Sequence, residues 1–396
     1  MSKWNKGLMT AMEEFEEAEL TSVTGTETGD TEVLEMTQSA AIMTDHANDM
    51  DEAVSSAIDL QAIADAIQSQ DKMSNSAAKI AQIATESAYR RVGIRRSSVP
   101  SLEAFESKAA LESMDGIIAT ARRIWEAIKK AVMEAGKWIK DFFKNLFSAN
   151  GKQEKRGENL KAKLQKFKKY NKLYINAKLS GTLAKELTID GLFPSTDLFK
   201  HIKDFQGIVY NGNTALQSLP GILGAANIHK DLDVKDVEEK MNHALEIYPK
   251  GKQFLGTRMF VSIPSEDNPF KMDIAPFNTT PYKEIEQIEV ITVDVLLTCV
   301  EETKILNTSI GNLEAFSKNY DNMYKDAEEK LNKMSKESTD SAELPKIVKL
   351  YTNLNSTMTA MNKALNGTAI LIAKAIYDYV EKCVIEIEKT GSDSSK

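Results

Sequence analysis

Apolar residues recur along most of this chain at steps of three and four, the spacing that lines one face of an α-helix. Trp4, Leu8, Met12, Phe15 and Leu20 predict a short amphipathic helix over residues 1–20, and TSVTGTETGDTE after it reads as a loop. Residues 32–88 set Val54, Ile58, Ile63, Ile67, Ile80 and Ile83 among Ala, Ser and Asp, which predicts weak helices with little bulk to bury. From 116 to 147 the pattern strengthens. Ile117, Ala121, Ile124, Ile128, Ala131, Ala135, Ile139, Phe142 and Leu146 form one stripe, widened by Trp125, Val132, Trp138, Phe143 and Phe147, with basic residues on the remaining surface. The following NGKQEKRGENLKAKLQKFKKYNKLY stays basic and places Leu160, Leu164 and Phe167 on one helical face.

Residues 180–245 read as several shorter helices broken at GLFPSTD, NGN and SLPG. Ser195-Thr196-Asp197 after Pro194 supplies one helix start, and Asp233 caps another over VKDVEEKMNHALEIY. Strict alternation appears once, in GTRMFVSIPSEDNPFKMDIAPF. Met259, Val261 and Ile263 before SEDN, and Phe270, Met272 and Ile274 after it, predict a β-hairpin. Two long helices, from Tyr282 to Ser338 and from Ile347 to Lys389, follow around the polar bend SKESTDSAELP. The fold class is therefore mainly α: an elongated helical bundle with a small hairpin insertion near 257–276 and a long C-terminal antiparallel helical hairpin. Four segments are expected: an acidic, weakly helical or disordered front over 1–103, a basic amphipathic helical segment over 104–180, mixed short helices with the hairpin over 181–285, and the helical pair over 286–396.

Composition supports the helical reading, because only nine prolines and nineteen glycines interrupt 396 residues. Charge changes the picture more. The net balance of −8 is uneven: residues 1–103 hold 18 acids and 8 bases, a balance of −10, while the 40 acids and 42 bases that follow give +2. Residues 122–172 alone carry 16 bases against 5 acids. Such polarity suggests that an acidic arm masks a basic one, or that the two are meant to separate.

The basic helix has three open readings: a core helix, an interfacial membrane helix, or a surface that faces a polyanion. Arg122, Arg123, Lys129, Lys130, Lys137, Lys140 and Lys144 are the candidate contacts for the last two. Aromatics interleaved with lysines after residue 150 resemble single-strand nucleic-acid surfaces, and helical spacing explains them equally well.

Other chemistry is sparse. Cys299 and Cys383 lie far apart in helical stretches and read as buried thiols in a reducing compartment. His46, His201, His229 and His243 are scattered, and no nucleotide-binding, hydrolase or zincin motif is present. The expectation is a protein that is not an enzyme and takes no metal or cofactor. The first twenty residues lack an apolar run, which argues against a conventional secretory signal and for synthesis in the cytosol.

The charge boundary coincides with RRSSVPSLEAFESKAALES, Arg95 to Ser113, where paired serines and a proline read as an exposed linker. Ser101-Leu102-Glu103 before Ala104, and Ala110-Leu111-Glu112 before Ser113, share a small-x-Glu form. Ala84-Thr85-Glu86 is a third copy, and Ser341-Ala342-Glu343 a fourth at the far end. Proteases act on extended, accessible chain, which such a linker offers.

An acidic front closed by small-x-Glu and followed by IWEAIKKAV and WIKDFFKNLF resembles the internal head proteins, also called inner-body or ejection proteins, of phiKZ-like giant tailed phages. The resemblance spans roughly residues 1–150. It implies a virion protein of the capsid interior, made in the host cytoplasm as a precursor whose propeptide is trimmed by a prohead protease. It further implies other capsid or inner-body proteins as partners, with the mature part kept beside the packaged DNA and able to be ejected with it. On that resemblance Glu103 is the first choice of cleaved residue and Glu112 the second. A membrane-active or host-interacting protein built on residues 117–147 is the alternative.

Overall fold

A computed structural model describes residues 30–68, 75–92, 110–168, 183, 186–225, 234–246, 251, 253–256, 258–262, 272–276, 292–320, 322, 325, 329 and 358–393. The expectations for residues 1–20, for the cap at Asp233 and for the bend SKESTDSAELP lie outside them.

The described part of the front forms two helices, α1 (Asp30–Gln68) and α2 (Asn75–Arg91). Their buried residues explain how weakly apolar sequence holds a helix pair. Ala53, Ala57, Leu60, Ala64 and Ile67 on α1, and Ala78, Ala81, Thr85, Ala88 and Val92 at and just beyond α2, follow steps of alternating three and four. This is the seam spacing of α-helices packed in a left-handed supercoil, and alanine on it lets backbones approach closely.

The basic amphipathic stretch is one helix, α3 (Ala110–Phe167), of 58 residues and about 87 Å. Its apolar stripe is a core face: Ile117, Ala121, Ile124, Ile128, Ala131, Ile139, Phe142 and Leu146 are all buried. The helix does not stop at Ser148-Ala149-Asn150-Gly151, where the hydrophobic pattern thins. Asn150 is buried there because its amide donates to the Asn307 carbonyl at 3.0 Å.

After the 3₁₀ turn Ser195–Asp197, the helix start expected after Pro194 leads into α4 (Leu198–Ala225). The breaks expected at NGN and SLPG do not occur, and α4 runs through both. The Asn-Gly-Asn stretch is a packing motif. Asn213 exchanges two amide hydrogen bonds with buried Asn366, at 3.1 and 2.9 Å, and a Cβ on Gly212 would stand 2.5 Å from Leu365.

The short helix α5 (Val234–Leu245) precedes a three-stranded antiparallel sheet, β1 (Gln253–Phe254), β2 (Arg258–Ser262) and β3 (Met272–Pro276), in that order. The β2–β3 pair is the expected hairpin, with Phe260 opposite Ile274, and β1 is an addition to it. The alternation marks the face of Met259 as the inner one, but Met259 is only half-buried. Phe260 is buried, because it stacks on Phe254, which stacks on Phe205 of α4, with ring centroids 5.0 Å apart at both steps. Arg258 clamps the sheet to Glu186 through two contacts of 2.7 Å.

The C-terminal pair consists of α6 (Val293–Gly311), continued by helical turns over 314–320, and a helix over 358–393 whose final part is α7 (Thr368–Asp393). Cys299 lies near Cys383, and the Asn307 amide donates to the Tyr377 hydroxyl at 3.2 Å, so the two run antiparallel. A π-helical turn, Lys363–Gly367, sits just before α7 and carries Asn366 into the core.

Candidate functional site

Heptad spacing that buries one face of α3 leaves its bases on the other. Arg122, Arg123, Lys130, Lys137, Lys140 and Lys144 are exposed, and the side chain of Lys129 lies outside those described. Arg123, Lys130, Lys137 and Lys144 stand seven residues apart, a row of cations about 10.5 Å per step along the helix. Lys130 has Glu134 at 3.7 Å, a pair that solvent weakens. Lys140 and Lys144 also flank a groove of about 490 Å³ between α3 and residues 311–318, floored by Phe143 and Phe147 and carrying Glu154, Glu314 and Lys318. Mixed charge at this groove favours no single sign of ligand, so the continuous row is the feature suited to a polyanion.

The front lies along the buried face of that helix. At the near end the Tyr89 hydroxyl donates to Thr120 at 3.2 Å, and Arg91 pairs with Asp59 to close α2 against α1. At the far end Glu32 pairs with Lys152 and accepts from Ser148 at 3.1 Å. Helices α1 and α3 are therefore antiparallel neighbours over some thirty residues. Burial tends to raise the Glu32 carboxyl, but the hydrogen bonds of Lys152 and Ser148 and the Lys152 charge outweigh it and hold the group below the ordinary carboxylate range. Among the described residues, charge pairing between front and body falls on Lys152, which the sequence did not single out, while Arg122, Arg123, Lys130, Lys137, Lys140 and Lys144 are exposed.

The small-x-Glu copies fall in different settings. Thr85 of Ala84-Thr85-Glu86 is buried in α2 and donates to the Ala81 carbonyl at 2.8 Å, and Glu86 bonds Arg90 at 3.2 Å. A protease cannot take that copy in extended form without unfolding the helix. Ala110, Leu111, Glu112 and Ser113 form the opening turn of α3. Ser101, Leu102, Glu103 and Ala104 lie outside the described residues, as does Ser341-Ala342-Glu343.

Below the cation row, a clamp ties α3 to α7. Arg156 bridges Asp378 at 2.6 Å and Glu381 at 2.5 Å. Burial opposes its charge, and the hydrogen bonds and charges of Glu381 and Asp378 more than restore it. Gly157 beside it lies where a Cβ would come within 2.5 Å of the Tyr377 hydroxyl. Neither contact had a signal in the sequence beyond a basic residue next to a glycine.

Among the described residues no cluster of His, Cys, Asp and Glu is arranged to hold a metal ion, and no helix is long and apolar enough to cross a membrane. Residues 16–382 match the family model of the phiKZ-like phage internal head proteins. No curated protein and no solved structure matches the chain.

Proposed function

Because the chain belongs to the phiKZ-like phage internal head proteins, with its place in the capsid interior, we propose that it is made as a precursor whose acidic front is removed by the prohead protease after Glu103. The mature part is then packaged with the DNA and is available for ejection. The observation that carries this reading is the partition of charge: a cut after Glu103 takes away −10 of a net −8 and leaves a +2 body bearing the cation row of α3. A chain of that balance is better suited to a DNA-filled compartment, where phosphate contacts release counterions and favour binding. The settings of the copies also support Glu103, since Ala84-Thr85-Glu86 is locked in α2 and Glu112 stands in a helical turn.

The test is to expose the precursor to the phage's prohead protease and map the new N-terminus. Cleavage before Ala104 that is abolished in Glu103→Gln and retained in Glu112→Gln supports the reading. Resistance of the parent chain, or cleavage of Glu103→Gln at an unchanged rate, overturns it.

A further inference from the structure

The front is a pair of long helices seated on a much longer one, and this bears on what a cut at the junction accomplishes. It buries Met36, Val54, Leu60, Ile67, Tyr89 and Val92 along with its row of alanines. The contacts that pin it are spread over the length of the shared face, from Tyr89 on Thr120 at one end to Glu32 on Lys152 at the other. All of them lie on either side of residues 93–109. A cut at the junction therefore leaves each of these contacts in place.

Resting on the reading that the chain is cut at this junction, we infer that the cut does not by itself free the front: α1 and α2 remain on α3 as a noncovalent partner, and their departure is a separate, later step. Severing a tether replaces an intramolecular effective concentration, of the order of millimolar for a short flexible link, with the free concentration of the fragment. An apolar seam built from interlocking heptads on three helices holds through that change at micromolar concentration. The α3 seam is thus an acceptor surface for a two-helix partner with small residues on its own seam and an acid placed to meet Lys152. That partner is this chain's own front, supplied in trans after the cut. The basic row, already exposed in the precursor, gains its full field only when the front leaves.

The experiment places a recognition sequence for an unrelated site-specific protease between Ser98 and Ser101 of the full chain. The folded protein is cut, and both fragments are followed by gel filtration with mass detection. At micromolar concentration and neutral pH the fragments are expected to elute in one peak with the mass of the uncut chain, and to separate in denaturant. Leu60→Asp, which puts a charge on the buried seam while the tether still holds the helices together, is expected to separate on cutting. Separation of the parent fragments under native conditions overturns the inference, as does co-elution of the Leu60→Asp fragments as tight as the parent's. Should Leu60→Asp fail to fold, Leu60→Ala replaces it, with separation expected at a higher concentration than for the parent; an unchanged dissociation profile overturns the inference. The engineered site makes the result independent of Glu103. A chain that resists the prohead protease but stays joined after the engineered cut contradicts the proposed function alone, and one processed at Glu103 whose fragments fall apart contradicts this inference alone.

Discussion

The reciprocal amide pair between α4 and the π-helical turn offers a sharp quantitative test of how the body is held together. Asn213 and Asn366 are buried, and each donates to the other's carbonyl oxygen, while the Asn366 amide also donates to Asn362 at 3.0 Å. In Asn213→Ala the Asn366 carbonyl oxygen loses its donor, but the Asn366 amide keeps Asn362. One orphaned buried acceptor costs about 1–3 kcal/mol, and the small cavity adds about 1 kcal/mol, for a loss of about 2–4 kcal/mol. Asn366→Ala orphans the Asn213 NH2 group, the Asn213 carbonyl oxygen and the Asn362 carbonyl oxygen, so its loss is larger, about 3–6 kcal/mol. In the double variant the only orphan left is on Asn362, and the combined loss falls short of the sum by about 1–3 kcal/mol. Equilibrium urea unfolding of the four proteins, followed by circular dichroism and read as midpoint shifts at unchanged slope, measures all three quantities. Single variants within about 0.5 kcal/mol of the parent, or a strictly additive double variant, would refute the reasoning, because orphaned amides in a dry core cannot be silent.

Further predictions follow from contacts elsewhere. Gly157→Ala should lower the unfolding midpoint: the helix-propensity gain of about 1 kcal/mol is opposed by overpacking of about 1–3 kcal/mol against Tyr377, whose hydroxyl is fixed by Asn307. A raised midpoint would show that the space is not filled as described. Burial pushes both thiols, Cys299 and Cys383, up to about 12, so a thiol reagent at pH 8 should find no reactive group until denaturant is added and two afterwards. Reaction of either cysteine in the folded protein would contradict their burial. The Glu32 carboxyl is lowered in the folded state, so its contribution is present above the ordinary carboxylate range and lost as pH falls through the lowered value. Protection of the amides at the start of α1, taken relative to their intrinsic exchange rates, should therefore fall on the acid side in the parent, and Glu32→Gln should flatten that dependence. An unchanged profile in the variant would remove Glu32 as the titrating group.

The sequence was most informative where bulky side chains mark one face. The stripe from Ile117 to Leu146 is large enough to announce both the helix and its buried side, and the cysteines and apolar steps of the C-terminal pair place two helices that prove antiparallel. It was least informative where small or polar residues carry the packing. Ala53, Ala57 and Ala64 contribute little to hydrophobic periodicity, yet their size is what allows α1 to lie close on its neighbours. Asn211-Gly212-Asn213 has the composition of a turn, and only the presence of Leu365 and Asn366 across the interface makes it helix interior. The hairpin's alternation was plain, but its inward face was decided by an aromatic stack reaching from another helix. At the candidate site the exposed cations could be read from heptad spacing, whereas Lys152 and Arg156 differ from other bases only in their tertiary partners. The three forward copies of small-x-Glu are indistinguishable as text, and burial in α2 removes the first of them.

The central claim is that the chain enters the capsid as a precursor and is severed from its acidic front after Glu103. Intact mass together with N-terminal peptide mapping of the protein isolated from phage particles tests it most directly. The account predicts a mature chain that begins at Ala104. A chain in the particle that still begins at Met1 or Ser2 would contradict it.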